Sequence, residues 1–170
     1  MEIDFDKFDL NNDEKNQILP LLKKFENKFN IENIWQQMDI TWDNYKCDNR
    51  IYEPSKYAEF YSDPIWVING IFSELDIESI SNRNELANSI IKLNPKKIVD
   101  FGGGIGALAR KIADLKDDIE IDIFEEYPSN LGKRLIKNYR KIKFIKKIKN
   151  KYDLCVSTDV LEHVHEPEKL

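Results

Sequence analysis

The stretch Val99-Asp100-Phe101-Gly102-Gly103-Gly104-Ile105-Gly106 constrains this chain more than any other. Three consecutive glycines and a fourth two residues on would each lose more conformational freedom on folding than other residues, so the turn must need bare main chain. Before it, Lys96 to Phe101 is a short run with β-branched residues, the pattern of a buried strand. After it, Ile105, Leu108, Ala109, Ile112 and Leu115 recur at helical spacing. A strand, a glycine turn and a helix in that order let a small molecule touch the backbone, because the helix start offers free N–H donors and no β-carbons intervene.

The rest of the second half extends that pattern. IEIDIFE reads as a second strand, Leu131, Leu135 and Tyr139 mark a helix, KIKFI is a third strand and YDLCVST a fourth. Strands alternating with helices predict an α/β fold with an open, mostly parallel sheet. The first half reads as helical. Pro20 suits a first turn, so the first helix is expected to begin near it; Asn30 is placed as a cap for a second helix, and Asp63 with Pro64 as the start of another. Residues 47 to 62 read as an irregular, aromatic-rich loop that either covers a ligand or packs on its own helices, and Asn84 is placed as the cap of a further helix. The change of pattern near residue 80 divides a helical extension and possible lid, residues 1–80, from a ligand-binding domain, residues 81–170.

Charge and cysteine usage exclude several classes. The net charge is −5, which offers no long-range attraction to nucleic acid or an acidic membrane. Ten basic residues crowd between Lys133 and Lys151 with no acid among them. That density could attract phosphate groups, but the alternation with Ile142, Phe144 and Ile145 favours a strand's solvated flank. The two cysteines, Cys47 and Cys155, lie far apart, and the first residues lack a signal-peptide pattern, so a reduced cytoplasmic setting without membrane attachment is expected.

Two templates fit the glycine turn equally. Gly102, Gly104 and Ala107 match the G-x-G-x-x-A form of the dinucleotide fingerprint, while Asp100, Gly102, Gly104 and Gly106 match D-x-G-x-G-x-G. Both want a ribose-binding acid about 20 residues on at the end of the second strand, which Glu125 supplies. Strand alternation through Ile121 and Ile123 favours Glu125 over its neighbour Glu126. Asp100-Phe101-Gly102 also spells a kinase metal-binding tripeptide, but no catalytic-loop motif precedes it.

With the glycine stretch, Glu125, and the segment from Tyr152 through Val160-Leu161-Glu162-His163-Val164 to Glu166-Pro167, the chain resembles the class I S-adenosylmethionine-dependent methyltransferases. The third segment separates them from nicotinamide enzymes. The resemblance implies a Rossmann-like α/β sheet with helices on both faces, cut short after the fourth strand, and S-adenosylmethionine as cofactor. It implies that the turn of Phe101, Gly102, Gly103, Gly104 and Gly106 passes under the methionine half, that Asp100 orients that turn or meets the cofactor's ammonium through water, and that Glu125, with Glu126 as its rival, holds the ribose. Ser157 and Thr158 would face the cofactor from the end of the fourth strand. His163 would line the reaction face, as a general base or a structural hydrogen-bonder, and a small-molecule acceptor such as a sugar is expected. Asp159, Glu162 and His163 would share one helix face, yet no metal is assigned to them, because the first acid is shortened and a further ligand is absent.

This chain departs from the family after the third strand, where IKFIKKIKNKYD offers no acid for the adenine amino group before Asp153. Family members usually continue through three more strands, whereas this sequence stops at HEPEKL. Weak cofactor binding and poor turnover by this chain alone are therefore expected. A nicotinamide-dependent oxidoreductase and a non-catalytic scaffold of the same fold are the competing readings.

Overall fold

A computed structural model describes residues 5–8, 10–25, 29–149 and 151–169. The chain divides into two compact units, residues 1–75 and 76–170, each with its own packing.

The first unit is helical. A reciprocal capping box, in which Asn11 and Glu14 each bond the other's backbone N–H, starts α1 at Asn12–Lys24. Pro20 therefore lies inside the helix and not in its first turn: the capping box stabilises an earlier start, despite the i→i−4 bond that proline forfeits. Helix α2 (Ile31–Asn44) begins at Asn30, whose side chain accepts from the Asn33 N–H. The segment expected to be irregular holds helix α3 (Pro54–Tyr61), with Pro54 in its first turn. Its aromatic rings pack on one another: Trp42 stands edge-on to Tyr57 and Phe60, and Phe60 edge-on to Trp66. Asp63 caps α4 (Pro64–Leu75), through the Ile65 N–H.

The second unit opens with α5 (Ile77–Lys92), capped by Asp76 through the Ser79 N–H. One continuous helix runs through Asn84, which is thus not a cap; the aspartate eight residues earlier takes that role. Then follow β1 (Lys97–Phe101), α6 (Ala107–Leu115), β2 (Glu120–Phe124), α7 (Asn130–Leu135), β3 (Ile142–Ile145) and β4 (Leu154–Ser157). The four strands form one parallel sheet in the order β3-β2-β1-β4. Helices α5 and α6 contribute Ala87, Ile90, Ala109 and Ile112 to a core shared with Ile98, Ile121, Ile123, Ile142 and Val156 of the strands. This is the α/β, Rossmann-like arrangement anticipated from the alternating pattern.

Asp153 locks one end of the sheet. Its Oδ2 accepts from the N–H groups of Lys96 and Lys97 at 2.8 and 2.9 Å, holding the start of β4 against the start of β1. The basic run supplies the edge strand β3, where exposed lysines discourage pairing with another chain. No helix among the described residues is long and apolar enough to cross a membrane.

Candidate functional site

The register brings the ends of three strands side by side: Phe101 pairs with Phe124 on one flank and with Ser157 on the other. Three segments therefore leave the carboxyl edge together. They are the glycine turn after β1, Glu125 and Glu126 after β2, and Thr158 to Val160 after β4. In open parallel sheets this edge is where ligands bind.

The glycine turn has a distinct job at each of two positions. Gly102 has φ +72°, which side chains rarely adopt, and a β-carbon there would overlap Val160. Its N–H donates to the Phe124 carbonyl at 2.7 Å, so the turn is sewn to the end of β2. Gly104, at φ +55°, has no atom within 4 Å of where its β-carbon would stand, so its main chain is bare on that side. Its N–H donates to Glu125 Oε2 at 3.0 Å. Gly106 is the N-cap residue of α6. Together these contacts put an uncrowded strip of backbone next to a carboxylate at a set position.

Glu125 is half-buried and its other oxygen, Oε1, accepts from the Tyr127 N–H at 3.5 Å. Burial raises its carboxyl above the ordinary range, and the Gly104 and Tyr127 amides pull the other way. Glu126 is exposed and takes a hydrogen bond from the Tyr127 hydroxyl at 3.2 Å.

Asp100 sits beneath the turn and is only 4% exposed. A β-carbon on Gly103 would stand 2.5 Å from its Oδ2, so the turn's main chain lies directly on the carboxyl group. That Oδ2 has no hydrogen-bond partner, and neither has the buried Ser157 Oγ. Burial, and after it the neighbouring Glu125, push the Asp100 carboxyl up to about 7. Phe101 stacks on Phe124 with ring centroids 5.1 Å apart. The Phe101 ring therefore braces the two strand ends.

Beyond β4 the geometry departs from a helix. Asp159 has φ +53°, and only Leu161–His163 form a short 3-10 turn. Asp159, Glu162 and His163 therefore do not share a helical face, because the backbone reverses hand at the first of them. Among the described residues no three His, Cys, Asp or Glu side chains group closely enough to share a metal ion. His163 and His165 are both exposed. Asp153 is at the opposite, amino edge of the sheet, so it is remote from the glycine turn.

Two roles escape a reading of the sequence: that of Val160, there read only as part of the segment after the fourth strand, and that of Tyr127. Val160 fills the space over Gly102, and Tyr127 holds Glu125 and Glu126 with its N–H and its hydroxyl. The packing of a β-branched residue against a turn nearly sixty residues earlier, and of a tyrosine two positions after an acid, leaves no local signal.

Comparison with known proteins bears on the same half of the chain. Residues 74–170 match the model of a family described as a methyltransferase domain. No curated protein matches. Among solved structures, the chain is similar to human N-acetylserotonin methyltransferase in complex with SAM, at 16% identity and a TM-score of 0.46. That similarity covers 83% of this chain and 43% of the other, so this chain spans less than half of that protein's length. The family match takes in more than half of the chain, from the end of α4 through α5, the glycine turn, Glu125 and the segment after β4: the chain belongs to the methyltransferase-domain family, the S-adenosylmethionine-dependent class that its motifs resemble.

Proposed function

We propose that this chain binds S-adenosylmethionine along the carboxyl edge of its sheet and passes the methyl group to a small-molecule acceptor, at oxygen or nitrogen. The observation that carries the reading is the clasp between Gly104 and Glu125: bare backbone on one side, a carboxylate 3.0 Å from its N–H on the other.

The residues present suit such a cofactor. A sulfonium nucleoside needs a carboxylate for its ribose, uncrowded main chain for its amino-acid tail, and negative charge for its cationic groups. Glu125, the turn Gly102–Gly106 and Asp100 offer these in turn. The unpartnered Asp100 Oδ2 and Ser157 Oγ support the fit, because most buried polar atoms in native proteins are bonded and these two lie at the same end of neighbouring strands.

When bound, S-adenosylmethionine supplies a methyl group on a charged leaving group. The chain's part is to align and to exclude water, which contributes most of the acceleration in an in-line displacement. Glu125 keeps free lone pairs on both oxygens after its amide contacts, enough to accept from two ribose hydroxyls. Gly102, Gly103, Gly104 and Gly106 pass under the tail, Phe101 braces the strand end, and Ser157 and Thr158 border the site. Glu126 points to solvent beside it. His163 is assigned as the group that takes a proton from the acceptor or orients it. The chain's net charge of −5 favours a small acceptor over a polyanion.

Thermal shift with S-adenosylhomocysteine and with NAD tests the reading. At one hundred times its dissociation constant, S-adenosylhomocysteine should add about 2.7 kcal/mol of stability, and Glu125→Ala should abolish most of the shift. Stabilisation by NAD alone would make the protein an oxidoreductase. Silence toward both would favour the non-catalytic scaffold.

A further inference from the structure

We propose that Asp100 is protonated in the ligand-free protein and releases its proton to solvent when the cationic cofactor binds, so that cofactor affinity rises with pH. The inference rests on the cofactor reading above and adds the charge state of its deepest residue.

The geometry leaves little alternative. Asp100 is 4% exposed, the main chain at Gly103 covers its carboxyl group, and its Oδ2 has no donor. An ionised carboxylate so placed is strongly disfavoured, and adding a proton removes the difficulty. The titratable groups facing it come from both flanking strands. Glu125, beyond β2, is another acid, and the Cys155 thiol of β4 is itself raised, first by burial and then by Asp100. Neither can neutralise it. A midpoint of about 7 accords with that environment.

A ligand with cationic groups changes the balance. Asp100 loses its proton to water, and the carboxylate then has a positive partner in the same closed space. The O–H bond breaks, the electron pair stays on Asp100, and no other reactant is needed. S-adenosylmethionine carries an ammonium and a sulfonium, S-adenosylhomocysteine only the ammonium, and adenosine neither. Proton release should fall in that order.

Calorimetric titration of the whole chain at pH 6, in buffers of different ionisation enthalpy, measures the release directly; the ligand's own amino group stays protonated there. S-adenosylmethionine is expected to release about one proton, fewer as pH passes 7, with its Kd falling about tenfold per pH unit below the midpoint. Adenosine should release none. Asp100→Asn should bind with no buffer dependence, its fold checked by circular dichroism. Carboxyl-carbon NMR of the free protein should place the Asp100 midpoint near neutrality. A midpoint in the ordinary range near 4, or buffer-independent binding by the unaltered protein, would overturn the inference. Failure of every adenosyl ligand to bind would instead remove the cofactor reading and the release step with it, while the NMR midpoint alone would still decide the charge of Asp100.

Discussion

Asp100 and Asp122 lie on adjacent strands and are almost equally buried, at 4% and 2% exposure, yet the protein treats them in opposite ways. Asp122 faces the other side of the sheet from Ile121 and Ile123, where cations and a donor surround it. Lys97 and Lys143 reach to 3.8 and 3.5 Å of its oxygens, and the Tyr152 hydroxyl donates to it at 2.7 Å. Lys97 also lies over the Tyr152 ring. Asp100 has an acid for a neighbour and an oxygen without a donor. A buried acid ringed by its own counter-charges holds a fold together, whereas one left unsatisfied at a strand end beside bare glycine is the acid that the proposed cationic cofactor would neutralise.

The largest expected consequence concerns pH. Unfolded, Asp100 ionises near 3.8; folded, it ionises near 7. Between those values the folded protein holds the extra proton, so stability falls as pH rises from about 4 to 7, by up to about 4 kcal/mol, and stays low above. Asp100→Asn should remove that slope. Urea denaturation at pH 5 and pH 8 measures it, and parallel slopes for the two proteins would end the contrast between the acids.

Next comes the other acid. Lys97→Met with Lys143→Met would strand Asp122 as a buried charge and should lower stability by about 3 kcal/mol at pH 7, read by the same denaturation. A loss under about 1 kcal/mol would mean that Asp122 does not depend on its lysines. Tyr152→Phe removes a hydrogen bond to a charged group and should lower stability by about 2 kcal/mol, with thermal melting as the readout. Smallest is Glu125→Gln. Because burial outranks Glu125 among the causes of the Asp100 shift, its midpoint should fall by less than about one pH unit, visible by carboxyl-carbon NMR.

Much of the second unit was legible because its signals are local. Strand patterns of period two, a helix repeat after Ile105 and glycines that need positive φ all act within a few residues, and β1, α6, β2, β3 and β4 lie where those patterns predicted. Helix boundaries were less so. The Asn11 capping box moved the start of α1 ahead of Pro20, and Asp76 made Asn84 an interior residue of α5, because competing caps are ranked by the whole helix and not by one residue. The aromatic segment 54–61 hid its helix because its ring spacing reflects contacts with Trp42 and Trp66, which lie outside it.

The sequence by itself determined that a glycine turn would follow a buried strand and that an acid would stand at the end of the next, since those requirements are set by backbone sterics and strand alternation. Tertiary structure alone decided which acids are satisfied. Whether Asp100 or Asp122 meets a lysine depends on residues brought from Lys97, Lys143 and Tyr152 by strand register, and charge neutralisation inside a protein is a property of that three-dimensional neighbourhood.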